Sequence, residues 1–334
     1  MPSPIAVRDP GGPRGLVVYS RLVSSEDYTA DGGRFDLFLL EVPSGKVTRL
    51  TDHQSTPTLN LGGAIRRPAF SHDGKRILFL TDYASSDDRR KTMTGAAPYP
   101  DSFLNVWQLA LRTREVTPVT RGDLGWNVFG WSPNDRFFCA KYLSRAGSLD
   151  SPATPDDLYV WDTATLKGRR IARVANGIED AYWSADGSRI IYRSDPSKHL
   201  FAIPRVGGRS KTYVQPEAEM LGYVYSTDGK KVAYTGSGTV YVSGRGGKSK
   251  PLYKLVETPN GASTFDGPPI WSKDGRWLII KTKYVGGTKV RDPVTGWYAF
   301  QRNGLVAVRI ADGHAVVLKE PNEETRGLDW HETD

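Results

Sequence analysis

The sequence of 334 residues contains a single cysteine, Cys139, and five histidines. One cysteine cannot form an internal disulfide, and it excludes a zinc site built from several cysteines. Chains without paired thiols work in both reducing and oxidising compartments. The sequence therefore leaves localisation open between the cytoplasm and export with a leader that this chain lacks.

Long apolar runs are also absent. No stretch reaches the roughly 18 apolar residues of a membrane-spanning helix. Residues 1–14 are polar and rich in proline and glycine, without the hydrophobic segment of a signal peptide. We therefore expect a soluble monomer with no membrane span, in which residues 1–14 form an N-terminal tail.

Neither sign of charge dominates. The chain has 45 Lys and Arg against 37 Asp and Glu, a net charge of +8. This excess favours anionic partners, but the cations are interleaved with acids. The densest groups are Arg66-Arg67 and Arg89-Arg90-Lys91, and Asp87 and Asp88 offset the second. Because nucleic-acid binding needs clustered cations with interleaved aromatics, we expect no nucleic-acid partner.

An internal repeat organises the sequence. Its unit is an aromatic residue, the tetrapeptide Ser-x-Asp-Gly, a basic residue within two positions, and a β-rich run. Asp-Gly supplies the positive φ of a tight turn, so the unit predicts a β-hairpin. Regular copies begin at Ser71, Ser184, Ser226 and Ser272, and Trp131-Ser-Pro-Asn-Asp135 is a degenerate fifth. We expect the aromatics to be buried between repeats: Phe70, Trp131, Trp183, Tyr225, Trp271 and Trp330.

Each hairpin is followed by a third apolar run and usually by a fourth, with almost no helical periodicity. Four antiparallel strands per unit are the blade of a β-propeller. Gly327–His331 is typical of a first strand, and its continuation stands at the other terminus in residues 15–51. Five complete blades and one split blade predict an all-β, six-bladed β-propeller over residues 15–334. Pairing of the N- and C-terminal strands would close it and remove the exposed edges.

The repeated unit, with its later Gly-Gly turns, resembles the WD40-like (PD40) repeat of TolB-like six-bladed propellers. It is also similar to the repeats in the propeller portions of prolyl-oligopeptidase and dipeptidyl-peptidase relatives. The resemblance covers residues 15–331 and implies the fold, although the sequence has neither the N-terminal α/β domain of TolB nor room for a hydrolase domain. Since a propeller supports many unrelated activities, the resemblance alone does not assign a function.

Motifs that would indicate catalysis are missing. The sequence has no Gly-x-Ser-x-Gly nucleophile elbow, P-loop, dinucleotide fingerprint or His-Glu-x-x-His. The histidines are far apart, which disfavours a metal centre like that of propeller-type oligogalacturonate lyases. We predict no cofactor and no metal site. Calcium at the acidic turns is the one alternative, although no EF-hand-like loop is present.

Long loops are confined to one face of the predicted propeller. They include Asp82–Phe103 and Tyr284–Asn303, whereas the turns on the other face are short. Long loops on a rigid scaffold commonly carry binding sites. We therefore predict a binding site on the long-loop face and at the channel mouth, for a small anionic ligand or for a peptide or protein. The short loops of blades four and five would leave a lateral entrance beside Arg193.

Three cations occupy one equivalent position in the aligned second strands: Lys141, Arg193 and Lys281. We expect them to bind the anion, with an aromatic side chain from the loops packing on its apolar part. The predicted ligand-binding residues are Arg67, Tyr83, Trp126, Lys141, Arg193, Lys281 and Trp297.

Catalysis at the channel mouth is the alternative. A hydrolase or lyase would use paired carboxylates as general acid and base. The candidates are Glu179, Asp180, Asp266 and Asp329. Salt bridges from these acids to Arg67 or Arg326 are a simpler account, so the sequence leaves binding and catalysis open.

Overall fold

We analysed a computed structural model of the chain. It describes residues 12–24, 34–52, 65–81, 104–120, 125–143, 155–194, 200–214, 221–226, 228, 230–236, 238–244, 249–255, 262–265, 267–285, 301–319 and 325–333. In this part of the chain all regular secondary structure is β, and no helix is long and apolar enough to cross a membrane.

The strands follow the chain in repeating groups. Their bounds are β1 Gly15–Ser24, β2 Arg34–Val42, β3 Val47–Arg49, β4 Ile65–Phe70, β5 Arg76–Thr81, β6 Asn105–Ala110, β7 Val116–Pro118, β8 Trp126–Trp131, β9 Phe137–Leu143, β10 Asp156–Asp162, β11 Lys167–Val174, β12 Asp180–Trp183, β13 Arg189–Arg193, β14 Leu200–Pro204, β15 Lys211–Val214, β16 Leu221–Tyr225, β17 Lys231–Gly236, β18 Thr239–Gly244, β19 Lys250–Lys254, β20 Ala262–Phe265, β21 Ile270–Trp271, β22 Trp277–Val285, β23 Gln301–Arg309, β24 Ala315–Lys319 and β25 Thr325–Glu332.

These strands form six antiparallel sheets, and each sheet is one blade. Blade one has the order β25-β1-β2-β3, and blades two to five follow as β4 to β7, β8 to β11, β12 to β15 and β16 to β19. Blade six is β20-β22-β23-β24, with the short β21 also paired to β22. The fold is therefore the predicted all-β, six-bladed propeller with four-stranded blades.

Blade one joins the two ends of the chain. Strand β25 pairs with β1 in the register Gly15 to Glu332, Val17 to Trp330 and Tyr19 to Leu328. The C-terminal strand is thus the innermost strand of the blade that the N-terminal strand continues, as the split repeat predicts. Closure gives both strands a hydrogen-bonding neighbour and removes two edges.

The chain divides into two compact units. One comprises residues 1–22, 37–49 and 218–334, which hold most of blade one with blades five and six. The other comprises residues 23–36 and 50–217, which hold blades two, three and four. In both units the apolar clusters lie between consecutive blades. Second strands such as β5 and β17 are consequently buried on both faces, whereas the outer strand β11 is mostly exposed.

The repeated serine and aspartate close the hairpin turns. In blade two the Ser71 hydroxyl donates to Asp73 at 2.6 Å and accepts the Arg76 amide at 3.0 Å. The same bonds recur around Ser184, Ser226 and Ser272. These hydroxyls are committed to local turn structure, as expected for Ser in an Asp-Gly hairpin.

Three of the repeated aromatics hydrogen-bond to the blade before their own. The indole nitrogens of Trp131, Trp183 and Trp271 donate to the backbone carbonyls of Ala69, Gly130 and Val224, at 3.0, 3.1 and 3.2 Å. Each acceptor directly precedes the aromatic of the preceding blade. Of the six predicted aromatics, four are buried and two are half-buried: Phe70, Trp131, Trp271 and Trp330 in the first group, Trp183 and Tyr225 in the second.

Candidate functional site

The three predicted cations occupy equivalent positions in their blades. Lys141 pairs with Leu158 across the second and third strands, Arg193 with Leu200, and Lys281 with Leu305. Leu80 and Thr235 stand at the same level opposite Val106 and Val240. Their surroundings, however, differ from blade to blade.

Lys141 is held inside blade three. Its Nζ lies 2.8 Å from the Asp156 carboxylate and 2.6 Å from the Ile178 carbonyl. The same Asp156 oxygen accepts the Ile178 amide at 2.7 Å. The side chains of Lys141 and Asp156 are only 15% and 4% exposed. The pair therefore joins blade three to the segment that enters blade four, and the charge of Lys141 is already balanced.

Arg193 forms a more accessible ion pair. Its guanidinium lies 2.5 Å from the Glu179 carboxylate, and the two side chains are 25% and 39% exposed. Asp180 stands directly opposite Arg193 in the strand pairing, and one of its carboxylate oxygens accepts the Ala181 amide at 2.9 Å. The fold thus brings two catalytic candidates and one binding candidate to the end of the same hairpin. The sequence offered Arg67 or Arg326 as ion-pair partners for the four acids. For Glu179 the partner is Arg193, because the hairpin places these two residues together.

Arg67 lies on a β-bulge of the innermost strand of blade two. The register between β4 and β5 shifts between Arg66 and Ala69. Arg67 itself has a φ of 49° in the left-handed region, where a side chain other than glycine is strained. Its side chain is exposed, and it has no ion-pair partner in the part of the chain that the structure describes. Bulges of this kind redirect side chains and are common beside functional sites.

Trp126 belongs to an aromatic cluster in the core. It is 6% exposed, and its ring centroid lies 4.7 Å from Tyr142, 5.0 Å from Tyr159 and 5.5 Å from Trp161. It packs on the second and third strands of its own blade and so supports the strand that carries Lys141.

The remaining candidates are more dispersed. Lys281 is half-buried, and its Nζ lies 3.6 Å from the position that a Cβ on Gly267 would take. Asp329 lies on β25, opposite Val18. Three predicted residues lie outside the described part of the chain: Tyr83, Asp266 and Trp297.

Among the described carboxyl groups, every displaced pKa is lowered. Hydrogen bonds from Ser184 and Ser188 lower the pKa of Asp186 to about 2. Burial opposes the shift at Asp135, but hydrogen bonds from the His72 side chain and from the His72 and Asp73 amides keep its pKa below the usual value. A general acid needs the opposite shift. Burial raises the pKa of the Cys139 thiol, which disfavours the reactive thiolate.

No metal centre is evident in the described ranges. There, no three His, Cys, Asp or Glu side chains stand together in an arrangement that could hold an ion.

No family model and no curated protein matches this sequence. The fold, by contrast, matches solved structures. TolB from Acinetobacter baumannii superposes with a TM-score of 0.60 at 18% identity, covering 95% of this chain and 66% of that chain. A putative TolB from Agrobacterium tumefaciens superposes with a TM-score of 0.53 at 12% identity, covering 97% of this chain and 100% of that chain. An oligogalacturonate lyase in complex with manganese superposes with a TM-score of 0.51 at 13% identity, covering 92% of this chain and 79% of that chain.

These likenesses define the class of fold. At such low identity they show a TolB-like propeller and no more, and no family match supports the PD40 assignment within that class.

Proposed function

We propose that this propeller is a binding protein for an anionic ligand, such as a peptide, a protein segment or a small carboxylate or phosphate. The ligand would dock at the long-loop ends of the inner strands. The observation that carries the proposal is Arg67: an exposed guanidinium on a bulged inner strand, in a strained backbone conformation and without an acidic partner among the described residues. Strain of this kind is retained where function requires it.

The accessible Arg193–Glu179 pair supports the same function. Exposed ion pairs stabilise a fold by only about 0–1 kcal/mol. A ligand carboxylate that makes a bidentate contact with Arg193 can therefore displace Glu179 at small cost. Lys281, Tyr83 and Trp297 stay predicted ligand-binding residues. Lys141 and Trp126, both held in the core of blade three, would act by positioning the strands.

A lyase or hydrolase remains the competing function because one structural neighbour is an oligogalacturonate lyase. In this chain the acids of that proposal would be Glu179, Asp180, Asp266 and Asp329. Binding is favoured over catalysis because the Glu179 carboxylate is engaged in an ion pair with Arg193.

Calorimetric titration tests the proposal. The probes are citrate, inorganic phosphate, a short peptide with a free carboxyl terminus, and trigalacturonate with manganese. We expect at least one anion to bind, and Arg67→Gln plus Arg193→Gln to weaken its binding about tenfold. The control, Arg112→Gln plus Lys250→Gln, removes the same charge from exposed positions and should change affinity less than about twofold.

Two results would reject the binding function. One is that none of the probes binds, or that the site variant binds as tightly as its control. The other is the appearance of an unsaturated product from trigalacturonate, followed by ultraviolet absorbance, which would establish the lyase alternative.

A further inference from the structure

Blade three has an unusual outer strand. Its eight residues, Lys167–Val174, include four cations. The outer strands of the other blades are described over three to five residues each. Short edge strands discourage pairing with other chains. The outer strand of blade three differs from the others in being both longer and rich in cations. Of its cations, only Arg170 reaches a carboxylate in the described part of the chain, that of Asp157 at 3.4 Å.

A turn of blade four packs against this strand. The Arg169 guanidinium donates to the Arg205 carbonyl at 3.0 Å. Gly207 approaches so closely that a Cβ there would lie 3.4 Å from the Ile171 carbonyl, and its φ of 83° suits glycine. The tight turn thus brings Arg205 beside the outer strand of blade three, and the exposed Arg209 follows two residues after Gly207.

Phe137 holds two guanidinium groups at the same place. Arg205 lies 4.8 Å and Arg136 lies 5.2 Å from the centre of its ring. The ring in turn stacks on Trp183 at 6.4 Å. Cation–π contacts fix the arginines without neutralising their charge. We define the basic surface as Arg136, Arg169 and Arg205, which these contacts connect, together with the exposed Lys167 of the same outer strand and the exposed Arg209 and Lys211 that follow the turn.

The nearby carboxylates are committed to other partners. Asp162 accepts the amides of its own turn and the Arg136 side chain. Asp186 binds the hydroxyls of Ser184 and Ser188. Apart from Arg136, the members of the basic surface have no ion-pair partner within the ranges that the structure covers.

The turns of the other unit behave differently. There the turn cations pair with acids of their own turns: Lys46 with Glu41, Lys230 with Asp228, Arg276 with Asp274, and Arg309 with Asp312. In these four turns the positive charge is neutralised locally, whereas at the described turns of blades three and four most of it is not.

We propose that the basic surface binds an acidic segment of another protein. Guanidinium groups match carboxylates in shape and charge. Lys167 and Arg169 are two residues apart, which is about 7 Å along a strand. Alternate side chains of an extended peptide have the same spacing, so two carboxylates of such a peptide can face the two cations. Single-stranded nucleic acid would need open aromatic faces for base stacking. Here the ring of Phe137 is occupied by arginines and Trp183.

This surface is separate from the site of the proposed function. Arg136 and Arg205 lie at the turns that join strands one to two and three to four, whereas Lys141 and Arg193 lie towards the other ends of the same strands. Loss of either function should therefore leave the other intact.

The experiment measures the fluorescence anisotropy of a labelled oligo-glutamate peptide. The test variant is Lys167→Gln, Arg169→Gln and Arg209→Gln, which changes exposed side chains only. Its matched control is Lys46→Gln, Lys230→Gln and Arg276→Gln, with the same charge removed from self-paired turns. We expect the parent to bind, the test variant to bind about tenfold more weakly, and the control to stay within about twofold.

Further measurements decide the remaining outcomes. Arg67→Gln plus Arg193→Gln should leave oligo-glutamate binding unchanged, and a large loss there would assign the peptide to the other site. Oligo-thymidylate is the nucleic-acid probe, and tighter binding of it than of oligo-glutamate would overturn the assignment. No binding at low salt, or equal losses in test and control variants, would also overturn it. If the triple variant melts below the parent, Arg209→Glu alone replaces it.

Discussion

Asp135 stands where the other repeat turns have glycine, and replacing it tests how blades two and three are joined. Its carboxylate accepts the His72 amide at 2.7 Å, the His72 ring at 2.8 Å and the Asp73 amide at 2.8 Å. Its carbonyl accepts the Arg76 guanidinium at 3.0 Å. Asp135 thereby binds the turn of the preceding blade while adopting a left-handed φ of 55°.

Three substitutions separate the contributions of Asp135. Hydrogen bonds to a charged group contribute about 1.5–3 kcal/mol each to stability. The net loss is smaller where the backbone amides that are set free can hydrogen-bond to water instead. We therefore expect Asp135→Ala, which loses the bonds and keeps the strain, to lower the free energy of unfolding by about 3 kcal/mol. Asp135→Gly relieves about 1 kcal/mol of strain and should cost about 2 kcal/mol. Asp135→Asn keeps one acceptor oxygen, and asparagine tolerates the left-handed region. We therefore expect it to lower the free energy of unfolding by about 1 kcal/mol.

Urea unfolding at several pH values provides the measurement. The folded pKa of Asp135 is below the usual value of 3.8, so its contribution to stability is fully present above that value. The contribution is lost as the pH falls through the folded pKa. The difference between the parent and Asp135→Gly should stay constant down to about pH 5 and shrink below 3.8.

A matched control is Asp228→Asn, at an exposed turn whose aspartate bonds only within its own turn in the described contacts. It should be less destabilising than Asp135→Gly. If Asp135→Gly were as stable as the parent, or if its deficit did not change with pH, the carboxylate would not join the two blades.

Other predictions address closure and the buried contacts. Deletion of residues 325–334 removes the inner strand of blade one and should abolish the cooperative thermal transition, whereas an unchanged melting curve would contradict the observed closure. Trp131→Phe keeps a ring but loses the bond to Ala69, so urea unfolding should show a loss of about 1 kcal/mol, against about 3–5 kcal/mol for Trp131→Ala. Lys141→Met leaves the buried Asp156 carboxylate without a countercharge and should lower the free energy of unfolding by about 3 kcal/mol. The double variant Lys141→Met, Asp156→Leu should recover part of that loss in the same assay. Additive losses would refute the pairing.

The repeat predicted the order of the blades because its signals are local. Asp-Gly turns and alternating apolar runs act within about ten residues, and five copies state the same pattern. The split blade followed from a first strand at one terminus and its continuation at the other. The equivalence of Lys141, Arg193 and Lys281 was also predictable, since it depends only on counting along paired strands.

What each side chain does depends on contacts between blades. The backbone amides that Asp135 binds lie 62 and 63 residues away in the sequence, and Arg169 meets Arg205 only because a turn of blade four packs on the edge of blade three. Lys141 and Arg193 occupy the same position in their strands, yet one is balanced inside a blade and the other pairs near the surface. The sequence by itself determined the fold, because turns and strand patterns are short-range. Only the tertiary structure decided which charges are neutralised and which remain available to a partner, because long-range packing chooses the neighbours.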